Sequence, residues 1–137
     1  MKSFGRDYEA YTATTEDGFE LTLFRILPSD ATKQTTKTVL FQHGLTMDAE
    51  SWIQSTLEML PEGSTDIPAF LTLADEGYDV WMGNNRGTKY SNENANFPYA
   101  DDISYMMEYV KQNNAKYDFS WAEMGKYDLP AMFDTIT

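Results

Sequence analysis

One stretch of this chain combines residue types and spacing suited to acyl-transfer chemistry. His43-Gly44-Leu45 follows without a break on Thr38-Val39-Leu40-Phe41-Gln42, a short apolar run of the kind that forms a strand buried on both faces. Ligands of open α/β sheets bind at the carboxyl ends of such strands. A glycine there lets the backbone turn sharply, and the turn can aim a main-chain N–H at a carbonyl oxygen that gains negative charge as an ester is attacked. That would be half of an oxyanion hole. The other half normally comes from the N–H that follows the nucleophile of a Gly-x-Ser-x-Gly elbow. As a bare tripeptide, the same residues also fit an ordinary strand-to-loop turn.

A second stretch, Gly83-Asn84-Asn85-Arg86-Gly87-Thr88-Lys89, superficially matches a phosphate-binding loop. The match fails, because a P-loop needs four residues between its glycines, Lys before Ser/Thr, and a helix directly behind. Arg86 reads better as a structural clamp, its planar fork suited to a carboxylate and to backbone carbonyls, holding two loops in register. Serines stand at positions 3, 29, 51, 55, 64, 91, 104 and 120, none in a strand-to-helix elbow. The adjacent carboxylates Asp101 and Asp102 read as solvated loop residues rather than an acid/base pair. There is no cysteine and a single histidine, which excludes disulfides, thiolate nucleophiles and zinc–thiolate sites and leaves no metal cluster or cofactor to expect.

The elements that must position these residues follow from pattern. Tyr8 to Ala13 and Phe19 to Arg25 are rich in aromatic and β-branched residues and flank Glu16-Asp17-Gly18, which predicts an antiparallel hairpin. After the buried strand, Asp66 is placed to cap a helix with Pro68 in its first turn. Ile67, Phe70 or Leu71, and Ala74 recur at helical spacing, and Gly77 ends the pattern. Tyr78 to Met82 then reads as a strand, completing a strand–helix–strand unit of the kind that builds parallel sheets by right-handed crossovers. A polar loop spans Asn84 to Asn96. Met106, Met107, Tyr109 and Val110 can share one face of a short helix, read as local packing. Ser120-Trp121-Ala122-Glu123 matches a capping box, and Asp128-Leu129-Pro130 predicts a second helix to the end.

The fold class is therefore α/β. At 137 residues, with 42% hydrophobic and 23% charged residues, the composition is that of one ordinary globular domain. The formal net charge of -12 argues against nucleic acid and anionic membranes as partners, since both would repel it. No apolar run reaches membrane-spanning length, the amino terminus lacks a signal-like apolar core, and no Asn-x-Ser/Thr sequon occurs, so a soluble, signal-less chain is expected.

Several segments, in order, resemble the acid lipases, the lysosomal and gastric lipase family of α/β-hydrolases. They are Thr15 to Leu21 with Phe24-Arg25-Ile26, Gln42-His43-Gly44-Leu45 with Trp52, Leu73 to Trp81, and Gly83 to Gly87. Asp118 to Trp121 with Glu123-Met124 and Lys126 to Ala131 complete the set. The resemblance spans nearly the whole chain, and it implies the N-terminal part of one α/β-hydrolase domain over 1–137 with no second domain: an antiparallel hairpin leading into a mostly parallel sheet with crossover helices.

The implied activity is hydrolysis of lipid esters, triacylglycerol or sterol ester, by a serine nucleophile with a histidine base and an aspartate orienter. It gives Leu45 the oxyanion N–H, with His43 and Gly44 shaping the turn, and makes Arg86, Gly87 and Asp128 a structural clamp. It also implies a lysosomal or secreted setting, although the residues themselves leave location open. The family's serine, aspartate and histidine fall beyond Thr137, and the triad histidine follows the nucleophile in chain order, so His43 is not expected to be the base. The 137 residues alone are expected to be inactive. The alternative is a non-catalytic binding or assembly module. In the implied topology the strand at Tyr78 inserts beside the hairpin and leaves the strand at Val39 with an open apolar edge, inviting self-association.

Overall fold

A computed structural model describes residues 6–30, 32, 37–54, 66–96 and 115–137. The expectations for Asp101, Asp102 and the Met106 to Val110 face lie outside these residues. Strand β1 is Tyr8–Thr14, β2 Phe19–Ile26, β3 Thr38–Gln42, β4 Asp79–Gly83 and β5 Glu93–Asn94; helix α1 is Ala69–Asp75. The sheet order is β1-β2-β4-β3, with β5 paired to β2. Pairing of β3 with β4 is parallel, whereas β4 and β5 each run antiparallel to β2. Among the described residues the sheet is thus mixed, the hairpin leading into the one parallel pair that a crossover helix joins. By contact the chain forms two compact units, Met1–Tyr11 with Thr22–Asn84 and Thr12–Leu21 with Asn85–Thr137.

In the first unit the register sets the core. Val80 sits opposite Ile26 and Val39, and Met82 opposite Phe24 and Phe41, so these side chains share one sheet face. Ile26, Val80 and Met82 pack there with Phe70, Leu71 and Ala74 of α1 and with Ala49, against half-buried Phe24, Phe41 and Trp52. The other face carries Trp81, tilted against Tyr11 at 4.9 Å and under Arg25, whose Nε donates to Asp79 at 2.6 Å. Strand β3 is half-buried rather than buried on both faces, since it ends the strand order among the described residues.

The N-cap position of helix α1 falls on Pro68 rather than on Asp66. Its end is a Schellman motif: Gly77 N–H donates to Ala74 O and Tyr78 N–H to Leu73 O, both at 3.0 Å, with Gly77 at φ 91°. Tyr78 is therefore committed to the helix, and β4 begins one residue later than its apolar pattern suggests.

In the second unit the hairpin turn is closed by Gly18 N–H to Thr15 O at 3.0 Å, with Gly18 at φ 94°. Residues Glu93–Asn94 form β5 against Phe19 and Glu20, a strand hidden within the polar loop because its sequence lacks apolar alternation. At the carboxyl end, Ser120 and Glu123 form the expected capping box for α2, Trp121–Glu123. A π-helical turn at Met124–Asp128 then runs into α3, Leu129–Ile136. This is one helical run rather than a fresh start at Asp128, whose side chain makes no cap.

Candidate functional site

The parallel pair ends in register, Gln42 beside Gly83, so the chain leaves β3 at His43. Gly44 to Met47 form a turn closed by Met47 N–H donating to Gly44 O at 3.2 Å. Its third residue, Thr46, has φ 64°, while Leu45 and Gly44 do not have positive φ. That is the signature of a type II turn, which favours glycine or asparagine at the position threonine holds. The left-handed residue is Thr46, not Gly44, so the sharp turning expected of the glycine is done two residues later. Gly44 leaves room for a side chain: a Cβ there would make ordinary van der Waals contact with Met47 Sδ, at 3.7 Å. A β-branched residue with positive φ is a strained outlier of the kind that gathers at functional sites. Nothing in the sequence flags it, because threonine is a poor candidate for that conformation.

Leu45 is 72% exposed, and its N–H and that of Thr46 meet no acceptor among the described residues. His43 is buried, and its Nδ1 donates to the Gly44 carbonyl at 2.8 Å, which spends that nitrogen inside the turn. Ala49, just beyond, donates its N–H to Asn84 Oδ1 at 2.9 Å, and Asn84 Nδ2 donates to Thr22 O at 2.8 Å. Sequence reasoning passed over Asn84; the signal available was its place directly after a central strand.

The residues of the second candidate stretch gather in the second unit. Arg86 is 2% exposed. Its Nη1 and Nη2 donate to the two carboxylate oxygens of Asp17 at 2.6 and 2.8 Å, and its Nε to Asp128 Oδ1 at 2.8 Å. The Arg86 backbone N–H donates to Asp128 Oδ2 at 2.9 Å. The guanidinium also lies over the rings of Phe19 at 4.3 Å and of Phe119 and Tyr127 at 5.6 Å. The structure thus brings Arg86 together with Asp128 and adds Asp17. The fork takes two carboxylates, where one carboxylate and backbone carbonyls were expected. Gly87, at φ 79°, packs so closely that a Cβ would lie 2.8 Å from Phe119 Cζ.

Sharing one cation splits the two acids. Burial dominates at Asp128 and pushes its carboxyl up, against its bonds to Arg86. At Asp17 burial acts the same way, but the hydrogen bonds from Arg86 and Thr15 together with the Arg86 charge outweigh it and hold the carboxyl below the ordinary range. For Arg86 itself, burial is outweighed by the two carboxylates, which hold its pKa above the usual value. Among the described residues no group of acids and histidines could hold a metal ion, and no helix is long and apolar enough to cross a membrane.

Residues 1–56 match the family model described as a partial alpha/beta-hydrolase lipase region. Triacylglycerol lipase 2 of Arabidopsis thaliana is 35% identical over 141 residues, 97% of this chain and 28% of that protein. Lipase 1 of Drosophila melanogaster is 37% identical over 136 residues, covering 99% of the chain and 25% of the relative. The human gastric triacylglycerol lipase is 37% identical over 136 residues, covering 97% and 29%. Among solved structures, an esterase of Pyrococcus furiosus aligns at 24% identity and a TM-score of 0.43, over 85% of this chain and 37% of its own. Sheet, crossover and family match together define a partial α/β-hydrolase fold. Within that class the chain is similar, over most of its length, to gastric and related lipases. It spans about a quarter to a third of the length of the curated relatives it matches.

Proposed function

We propose that residues 1–137 are part of one α/β-hydrolase domain and supply half of the oxyanion hole of a serine hydrolase acting on lipid esters. The single observation that carries this is the Leu45 N–H, held in a strained turn at the carboxyl end of β3 with no acceptor among the described residues. Such a donor is fixed before charge develops on the substrate and needs no reorganisation when it does. Triacylglycerols and sterol esters are the substrate class, in keeping with relatives named as triacylglycerol lipases. No Gly-x-Ser-x-Gly occurs in the 137 residues, so the nucleophile, its histidine base and its aspartate belong to sequence beyond them. The Arg86–Asp17–Asp128 cluster is structural in this reading, and so is His43.

Reading the coding sequence past residue 137 is the first test. A Gly-x-Ser-x-Gly within a few tens of codons fits the proposal; an in-frame stop with no partner chain sinks it in favour of a non-catalytic module. The 137-residue chain should neither turn over p-nitrophenyl esters nor take a fluorophosphonate label. In the full-length enzyme Leu45→Ala should keep turnover, because the backbone acts. Gly44→Val should abolish it. Since a Cβ at Gly44 has ordinary room, that loss should come without a loss of fold, and the reverse pattern of the two variants overturns the oxyanion assignment.

A further inference from the structure

We infer that Asn84 is the positioning residue of the oxyanion turn, an assignment that rests on the oxyanion reading of Leu45. The loop from His43 to Ala49 is fixed at one end by the β3 ladder, while its far end runs into the short helical turn at residues 51–54, whose backbone bonds back to Asp48 and Ala49 and, among the described residues, not to the sheet. Asn84 provides the second anchor. It directly follows Gly83, the residue in register with Gln42, so it stands where the loop leaves the parallel pair. Its side chain is fully buried, with 0% exposure, and bridges two backbone groups: Oδ1 takes the Ala49 N–H at 2.9 Å, and Nδ2 gives a hydrogen to the Thr22 carbonyl at 2.8 Å.

The chemistry specifies asparagine. The Ala49 N–H can only donate and the Thr22 carbonyl can only accept, so the bridging group must present one acceptor and one donor in a plane. A carboxamide does this without charge, an ionised carboxylate lacks the donor, and an apolar side chain leaves both backbone groups unmet. Ala49 is itself buried in the core beside α1 and Trp52. The bridge therefore ties the loop to the centre of the sheet on β2. Between its two anchors lies the turn with Thr46 at φ 64°, and such a conformation persists only where the surroundings over-determine it. A donor displaced by an ångström loses about two orders of magnitude in rate, so Asn84 acts on catalysis through the placing of Leu45 rather than through substrate.

The test uses the full-length lipase carrying this segment, with Asn84→Leu, which matches the shape without the hydrogen bonds, and the milder Asn84→Ser. Asn84→Leu should lower kcat about 100-fold with KM within about two-fold, and weaken an alkylboronate transition-state analogue in parallel with kcat. Asn84→Ser should fall between it and the wild type. Hydrogen exchange supplies the arm that needs no activity: in both variants the bonded loop amides, those of Met47 and Ala49, should exchange about 10-fold faster or more, while those of the β1–β2 hairpin stay as they were. A wild-type kcat in Asn84→Leu, or exchange that accelerates evenly through the whole segment, overturns the assignment. Absence of ester turnover in the wild-type protein overturns the hydrolase reading instead, and the exchange experiment then decides separately whether Asn84 holds the loop.

Discussion

A threonine in left-handed backbone carries strain that a glycine would not, and at position 46 the strain falls in the turn that presents Leu45. Relief should cost function. Thr46→Gly removes roughly 1 to 3 kcal/mol of backbone strain, partly offset by about 0.5–1 kcal/mol of added unfolded-state freedom. We expect a modest rise in thermal midpoint with a lower kcat in the full-length enzyme; a fall in the midpoint, or an unchanged kcat, refutes the link between strain and function. The acids around Arg86 give a second residue-level prediction. Asp17 has a depressed carboxyl, so the stability it contributes is complete above the ordinary value of 3.8 and is lost as the pH falls through its lowered pKa. Asp128 is raised, so the native state takes up a proton there before the unfolded chain does, and mild acid favours folding at that site. Asp128→Asn removes this favourable uptake. Urea midpoints from about pH 7 to about pH 4 should therefore fall more steeply for Asp128→Asn than for the wild type, and parallel curves would show that Asp128 is not raised.

At the scale of elements, α3 and its π-helical turn are fixed by what Asp128 must reach. The turn at Met124–Asp128 inserts extra backbone into the helical run, and π-turns of this kind recur where side-chain placement overrides regular helix. Here Asp128 takes both the backbone N–H and the guanidinium of Arg86, with Phe119 covering the cation. Gly87→Ala should break this packing twice over, by left-handed strain of about 1–2 kcal/mol and by driving a methyl into the Phe119 ring at 2.8 Å. A loss of about 2–4 kcal/mol in unfolding free energy is expected, and a loss under about 1 kcal/mol would mean Phe119 yields freely. Much of this architecture was legible in the sequence. The hairpin declared itself through Asp17-Gly18, β3 through its apolar run, and α2 through Ser120 and Glu123, because each signal is local. Asp17 as the second carboxylate was not legible, since it lies 69 residues from Arg86 and reads as turn chemistry. Nor was the strand at Glu93–Asn94, which owes its ladder to β2 rather than to its own side chains.

On the whole molecule, the sheet ends at β3 among the described residues, and the relatives it matches are three to four times longer. Strand β3 is half-buried and apolar in Val39, Leu40 and Phe41, and it carries no charge of the kind that natural edges use to refuse a partner. At its carboxyl end, the buried amide nitrogen and oxygen of Gln42 have no hydrogen-bond partner among the described residues. A buried amide left unmet costs on the order of 1–3 kcal/mol, so either residues outside the described ones meet it, in this chain or in further sequence, or the chain carries the cost. Both features lead us to the same expectation: made alone, the 137-residue chain should associate through β3 despite its net charge of -12. Repulsion of that size acts at long range and is screened within about 10 Å at 0.1 M salt, whereas edge pairing acts at contact. Sedimentation should show species larger than a monomer that grow with salt, and Leu40→Lys, which puts a charge on the edge, should reduce them. Gln42→Leu separates the two readings of the chain. In the full-length lipase it should lower the unfolding midpoint, since the partners of the amide lose their bonds. In the 137-residue chain, where no described residue meets the amide, it should not. A monodisperse monomer with a sharp thermal transition, and the same response to Gln42→Leu in both lengths, would instead mark the chain as a module that stands by itself.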